Sequence, residues 1–107
     1  MIATIATAAC SDPGWSISGS VVDANGKPVE GATLTLQCSD FRKEMPEKSD
    51  AQGRFMISRL GYGFADDCAV QADRKEGGAT ASATPTCTKK STKKGQCAEG
   101  TVQLAFR

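Results

Sequence analysis

The amino-acid sequence predicts an all-β domain, an antiparallel β-sandwich carrying two disulfides. Three observations carry this expectation: short runs of alternating polar and apolar residues, turn chemistry between the runs, and no helical period of any length across 107 residues. At that length the chain forms one domain and buries roughly two-thirds of its unfolded surface. With 39% hydrophobic residues and 6% aromatic residues, its core is thin, so cross-links add substantially to stability.

The strands follow in chain order. In "WSISGSVVD", Trp15, Ile17, Gly19 and Val21 share one face, and Ser16, Ser18 and Ser20 share the other. "GATLTLQC" turns Ala32, Leu34, Leu36 and Cys38 inward and Thr33, Thr35 and Gln37 outward. "RFMIS" pairs Phe55 with Ile57, "CAVQA" aligns Cys68, Val70 and Ala72, and "TVQLAF" aligns Val102, Leu104 and Phe106. Such alternation marks strands buried on one side only. Between them, Asn25-Gly26 suits a tight reversal and Pro28 stops immediate continuation. Asp50-Ala51-Gln52-Gly53 reads as a turn with Asp capping and Gly left-handed, and Gly61, Gly63, Gly77 and Gly78 punctuate the later chain.

Function classes narrow through what is missing. A net charge of +1 argues against global electrostatic steering toward nucleic acid or an anionic membrane. The chain has no histidine, which removes the usual general base, the commonest metal ligand and the Ser-His and Cys-His nucleophile pairs. An enzyme is therefore not expected, and neither is a cofactor. The five cysteines, at 10, 38, 68, 87 and 97, show no C-x-x-C spacing, which favours disulfides in an oxidising compartment over a metal site. Asp66, Asp67 and Asp73 lack the ligand spacing of a calcium loop.

Cys38 is in phase with Leu34 and Leu36, and Cys68 with Val70 and Ala72, so both thiols point inward. Cys87 and Cys97 flank the polar stretch "TKKSTKKGQ", which a bridge would close. Four cysteines allow three connectivities, and spacing alone excludes none of them; inward phase favours Cys38–Cys68 and closure of the polar stretch favours Cys87–Cys97. Cys10 is then the cysteine left over.

Two blocks resemble a known family. "SGSVVDANGKPVEGATLTL" and "KSDAQGRFMISRLGYG" are similar to the carboxypeptidase regulatory-like domain, through Gly19, Val21, Asp23, Gly26, Pro28, Val29, Gly31, Ala32, Leu34 and Leu36, then Asp50, Gly53, Phe55, Ile57, Leu60 and Gly61. Ser49 stands where the family usually has Thr, Cys68 where it usually has Tyr, and residues 75–96 fall outside its pattern. The resemblance, over about residues 16–72, implies a transthyretin-like, Ig-like sandwich of about seven strands. It also implies an accessory or binding module in secreted and surface proteins, not a catalyst.

The leader adds a second resemblance. "MIATIATAAC" is uncharged and apolar, too short to cross a bilayer, and ends in the small residues Ala8 and Ala9 before Cys10. Thr7 occupies the position where a bacterial lipobox favours Leu. This resembles a lipoprotein signal, which implies cleavage before Cys10 and lipid on its thiol. The alternative is a free or intermolecularly paired thiol. On the lipoprotein reading, residues 1–9 are a signal remnant, 10–14 a lipidated tether and 15–107 the sandwich. Ser11 does not resemble an inner-membrane retention signal, so the expected location is the bacterial cell envelope, as an outer-membrane lipoprotein facing the periplasm or the cell surface.

Two loops are candidate contact sites. "GYGF" presents Tyr62 and Phe64, which either form an exposed patch or plug one end of the sandwich. The stretch between Cys87 and Cys97 carries Lys89, Lys90, Lys93 and Lys94, suited to lipid headgroups, anionic glycans or an acidic protein face, or simply a solvated surface. Without interleaved aromatics, nucleic acid is not an expected partner. The expected partners are the membrane through Cys10 and another envelope protein. A small secreted inhibitor or immunity-type protein, blocking an enzyme with a loop, is the alternative function; an accessory domain of a secreted enzyme complex is a third.

Overall fold

The computed structural model describes residues 14–39, 42–74 and 78–107. The lipidation, signal and tether expectations for residues 1–13 lie outside these, except for Gly14, which opens the first strand. Among the described residues nine strands are formed: β1 (Gly14–Val22), β2 (Thr33–Gln37), β3 (Arg42–Lys48), β4 (Arg54–Leu60), β5 (Phe64–Ala65), β6 (Ala69–Asp73), β7 (Thr80–Ala83), β8 (Thr86–Lys90) and β9 (Gln96–Ala105). One sheet runs β4-β1-β9-β5, with β8 also paired to β9, and the other runs β3-β2-β6-β7. The chain is all-β, and its two sheets form a sandwich.

Two details differ from the expectation of about seven strictly antiparallel strands. Nine strands are present among the described residues, because β3, β5, β7 and β8 escaped the alternation pattern. The pairing of β1 with β9 is parallel, with Gly19 opposite Val102. Parallel neighbours need a crossover connection, and here the chain supplies one by visiting the second sheet between them.

The inward phase of the sequence is met at Ile17, Val21, Leu34, Leu36, Ile57, Val70 and Leu104, each almost completely buried. Thr35 departs from it. This residue was expected to face solvent, yet it is buried, because β2 is an interior strand with Glu44 of β3 and Gln71 of β6 directly beside Thr35. Their longer side chains stand on either side of the small threonine on the outer face.

The two turns read from sequence share one device. Asp23 Oδ1 accepts hydrogen bonds from the backbone N–H groups of Asn25 (2.8 Å) and Lys27 (2.9 Å), and Asp50 Oδ1 accepts from Gln52 (2.9 Å) and Arg54 (2.8 Å). An aspartate that organises its own turn in this way stands in for backbone hydrogen bonds. The backbone N–H groups of Lys27 and Asn25 also hold the Asp23 carboxyl below its ordinary range. Gly53 closes the second turn at φ 75°, where a side chain would also meet the Val21 carbonyl.

Ser49, next to that turn, is buried. Its hydroxyl donates to Val29 O at 2.7 Å and accepts from Ala32 N at 2.9 Å, tying the start of β4's turn to the segment that leads into β2. Ser49→Ala strands both backbone groups, and urea unfolding is expected to show a loss of about 2 kcal/mol. Ser49→Thr keeps the hydroxyl and should lose much less.

Candidate functional site

The local chemistry of "GYGF" sends its two aromatic rings in opposite directions. Gly61 takes φ 131°, and a Cβ on Gly63 would fall 2.5 Å from the Cys97 carbonyl oxygen, so both positions require glycine. Between them Tyr62 is thrown outward, 57% exposed, while Phe64 turns inward and is buried. Phe64 meets Trp15 edge to face, ring centroids 5.4 Å apart. The loop thus splits between its two readings in burial: Phe64 fills the end of the sandwich, and Tyr62 is exposed.

Both expected disulfides are formed. Cys38 and Cys68 are joined across 4.1 Å between Cα atoms, and Cys87 and Cys97 across 5.9 Å. The first lies beside the plug. A small cavity of about 280 Å³ there is lined by Trp15, Leu36, Cys38, Phe64, Cys68 and Gln96.

The lysine-rich stretch is a β-hairpin rather than a floppy loop. β8 pairs with β9 from Thr86↔Thr101 to Lys90↔Cys97, and Gly95 turns the chain at φ 81°. Ser91 Oγ accepts from Lys93 N at 3.0 Å, which orders the tip. Lys89 Nζ lies 4.0 Å from Glu99 Oε2, an exposed and therefore weak pair. Lys90 and Lys94 are exposed and pair with no described carboxylate.

The fold brings the two loops together. β5 pairs with the start of β9 through Phe64↔Cys97, and this sets Lys93 Nζ 5.9 Å above the Tyr62 ring, a cation–π contact. In the sequence these two loops lie far apart. Two further residues at the same end carried no sequence signal as surface groups. Leu60, opposite Gly14 at the end of β4, is 77% exposed, and Trp15 is only half-buried. A pattern of Leu followed by Gly-Tyr-Gly, where the strand runs out beyond the facing sheet, is the cue that could have found Leu60.

Other candidate constellations do not converge. Asp67 and Asp73 stand at opposite ends of β6, roughly 20 Å apart at strand rise, and Asp73 Oδ1 accepts from Gln71 Nε2 at 2.9 Å. Among the described residues no three His, Cys, Asp or Glu side chains gather as metal ligands.

Among the described residues, one ion pair joins the sheets. Arg59 of β4 reaches Glu47 of β3, Nη2 to Oε1 at 3.1 Å and Nη1 to Oε2 at 3.2 Å. The Arg59 hydrogen bonds hold the Glu47 carboxyl below its ordinary value of 4.5. A carboxyl depressed by folding adds stability above its unfolded value, and that stability disappears as pH falls through the folded value. Urea midpoints should therefore fall as pH drops below about 4.5, and Glu47→Gln should flatten that part of the profile.

This architecture defines the class: a small two-sheet β-sandwich domain, cross-linked twice, with an aromatic and basic end. Known structures with this arrangement are similar in fold only. The dioxygenase domain of a dioxygenase carbohydrate-binding protein fusion from the cellulolytic bacterium Streptomyces sp. SirexAA-E matches with a TM-score of 0.55 and 17% identity, over 89% of this chain and 80% of that one. Chlorocatechol 1,2-dioxygenase from Pseudomonas putida matches with a TM-score of 0.54 and 13% identity, over 89% of this chain and 60% of that one. The major pilin subunit of Bacillus cereus matches more loosely, with a TM-score of 0.48 and 18% identity, over 85% of this chain and 28% of that one. No protein-family profile matches the chain, and no curated protein matches it by sequence. The superpositions on the two dioxygenase structures support a shared fold, and at such low identity they carry no chemistry across.

Proposed function

We propose that this protein is a non-enzymatic bacterial envelope lipoprotein: a carboxypeptidase regulatory-like sandwich tethered through Cys10 and serving as a binding or structural module. The observation that carries the reading is the disulfide pattern. Cys38 with Cys68 and Cys87 with Cys97 close two bridges inside the sandwich, so the fifth cysteine is the one preceded by Ala8 and Ala9 in an apolar leader. A lipoprotein carries several acyl chains, which anchor stably where a single chain does not. The positions behind the family resemblance support the finer assignment: Asp23 and Asp50 organise turns, Gly53 is left-handed, and Phe55 and Ile57 are buried.

A secreted inhibitor is the second reading, and one observation favours it. Tyr62 and the clamped hairpin adjoin in a single exposed surface, which an inhibitor could present to an enzyme site. Fractionation of the native cells separates the two. The lipoprotein stays with membranes until detergent is added, whereas an inhibitor is released by osmotic shock. Release without detergent would overturn the anchored reading.

A further inference from the structure

We infer that the end of the sandwich carrying Leu60, Tyr62 and the β8–β9 hairpin is a membrane-seating surface, lying on an anionic lipid leaflet with its lysines against the phosphates. The inference deepens the lipoprotein reading and rests on it for the position of the anchor. Three independent features meet at this end.

The first is where the chain enters the fold. β1 starts at Gly14, paired with Leu60, so the segment from Cys10 joins the sandwich at this end and no other. Four residues span at most about 14 Å when fully extended. Lipid on Cys10 therefore holds this end, rather than a sheet face or the opposite end, within that distance of the bilayer.

The second is exposed apolar surface. Leu60 and Tyr62 are 77% and 57% exposed, on neighbouring positions of one strand end and its link. A leucine beside a tyrosine, apolar body with a polar tip, matches the boundary between headgroups and acyl chains. Trp15 lies just behind them, its ring 3.7 Å from the position of a Cβ on Gly61.

The third is charge. The chain's net charge is only +1, yet Lys90, Lys93 and Lys94 are gathered on the hairpin, with Arg42 and Lys43 at the start of β3 beside the same end of β2. Among the described residues, the acids nearby are Asp66 and Asp67, on the link after β5, Glu44, beside Lys43 on β3, and Glu99, which faces Lys89. Among the described residues the cations at this end outnumber the acids, although the chain as a whole is close to neutral. Each lysine near an anionic leaflet strengthens binding about fivefold, so the three hairpin lysines together supply about a hundredfold, diminished by salt. A protein partner with an acidic face would satisfy the lysines too, but it would have to fit between this end and a bilayer that the tether keeps close.

Trp15, the single tryptophan, reports on the contact. The full chain is coupled through Cys10 to a maleimide phospholipid in vesicles of phosphatidylcholine, with or without phosphatidylglycerol, containing headgroup-proximal brominated lipid. Coupling supplies the anchor whether or not the cell does, so failure of the seat and failure of natural lipidation are read separately. The expected result is Trp15 quenching on the phosphatidylglycerol vesicles, lost on pure phosphatidylcholine and reversed by high salt with the unmodified sequence. Lys90→Glu/Lys93→Glu/Lys94→Glu should abolish the quenching while the protein stays coupled, and Leu60→Ser/Tyr62→Ser should weaken it. Equal quenching on both vesicle types, or none on either, would overturn the proposal. Association of the lysine end with an acidic protein in preference to anionic vesicles would do the same.

Discussion

Replacing Cys38 and Cys68 together by alanine lowers the unfolding free energy by about 3.6 kcal/mol, the loop-entropy value for a separation of about 30 residues. Alanine is the right probe because Cys68 is buried, and a serine hydroxyl there would have no partner and add its own penalty. The bridge joins the end of β2 to the residue before β6, two strands already paired through Gln37↔Ala69. It therefore fixes strands that are adjacent in the native sheet but independent in the unfolded chain. The Cys87–Cys97 bridge spans only 10 residues, so its removal should be milder, about 2.7 kcal/mol on the same estimate. Urea midpoints at constant slope check both. A loss below about 1 kcal/mol for the first pair would mean that the unfolded chain is already held compact in that region.

Gly19→Ala is the second large effect, expected at about 3 kcal/mol, the upper part of the overpacking range. Gly19 sits inside β1 between Phe55 of β4 and Val102 of β9, and the Phe55 ring lies across it. A Cβ there would press into the Val102 carbonyl and come 2.7 Å from Phe55 Cζ. Both β1 neighbours would have to shift, including the parallel pairing that holds the first sheet together. Denaturant unfolding of Gly19→Ala against Ser18→Ala, an outward neighbour on the same strand, measures the difference. Equal stability of the two variants would show that the packing around Gly19 is loose.

Most of the core was legible because it obeys one rule. Where a strand has one buried face, alternation reveals it, and Ile17, Leu34, Leu36, Ile57, Val70 and Leu104 all follow. The Cys38–Cys68 disulfide was legible for the same reason, since inward phase brought both residues to one core, whereas Cys87–Cys97 was legible only from the polar stretch it closes. The strands that escaped have little to bury. β8 is exposed along its whole length, because it flanks β9 where no facing sheet covers it, so neither face is marked by apolar residues. β3 is a charged edge strand with Met45 its one buried residue, and it tolerates Pro46 because an edge strand leaves backbone groups unpaired. Charge and proline on such an edge also block pairing with another chain.

The end surface was half legible. Tyr62 and the lysines stood out by composition, but Tyr62 and Lys93 are far apart in sequence. Their contact exists only because β5 pairs with the start of β9. The parallel register of β1 against β9 had no local signal, being set by where the last strand returns after the second sheet is built.

Intact mass of the protein from the native cell envelope, before and after reduction, tests the central claim most directly. The account predicts a mature chain that begins at Cys10, carries acyl mass on that residue, and gains the mass of four hydrogens when its two disulfides are reduced. A chain still beginning at Met1 with an unmodified Cys10 thiol would contradict it.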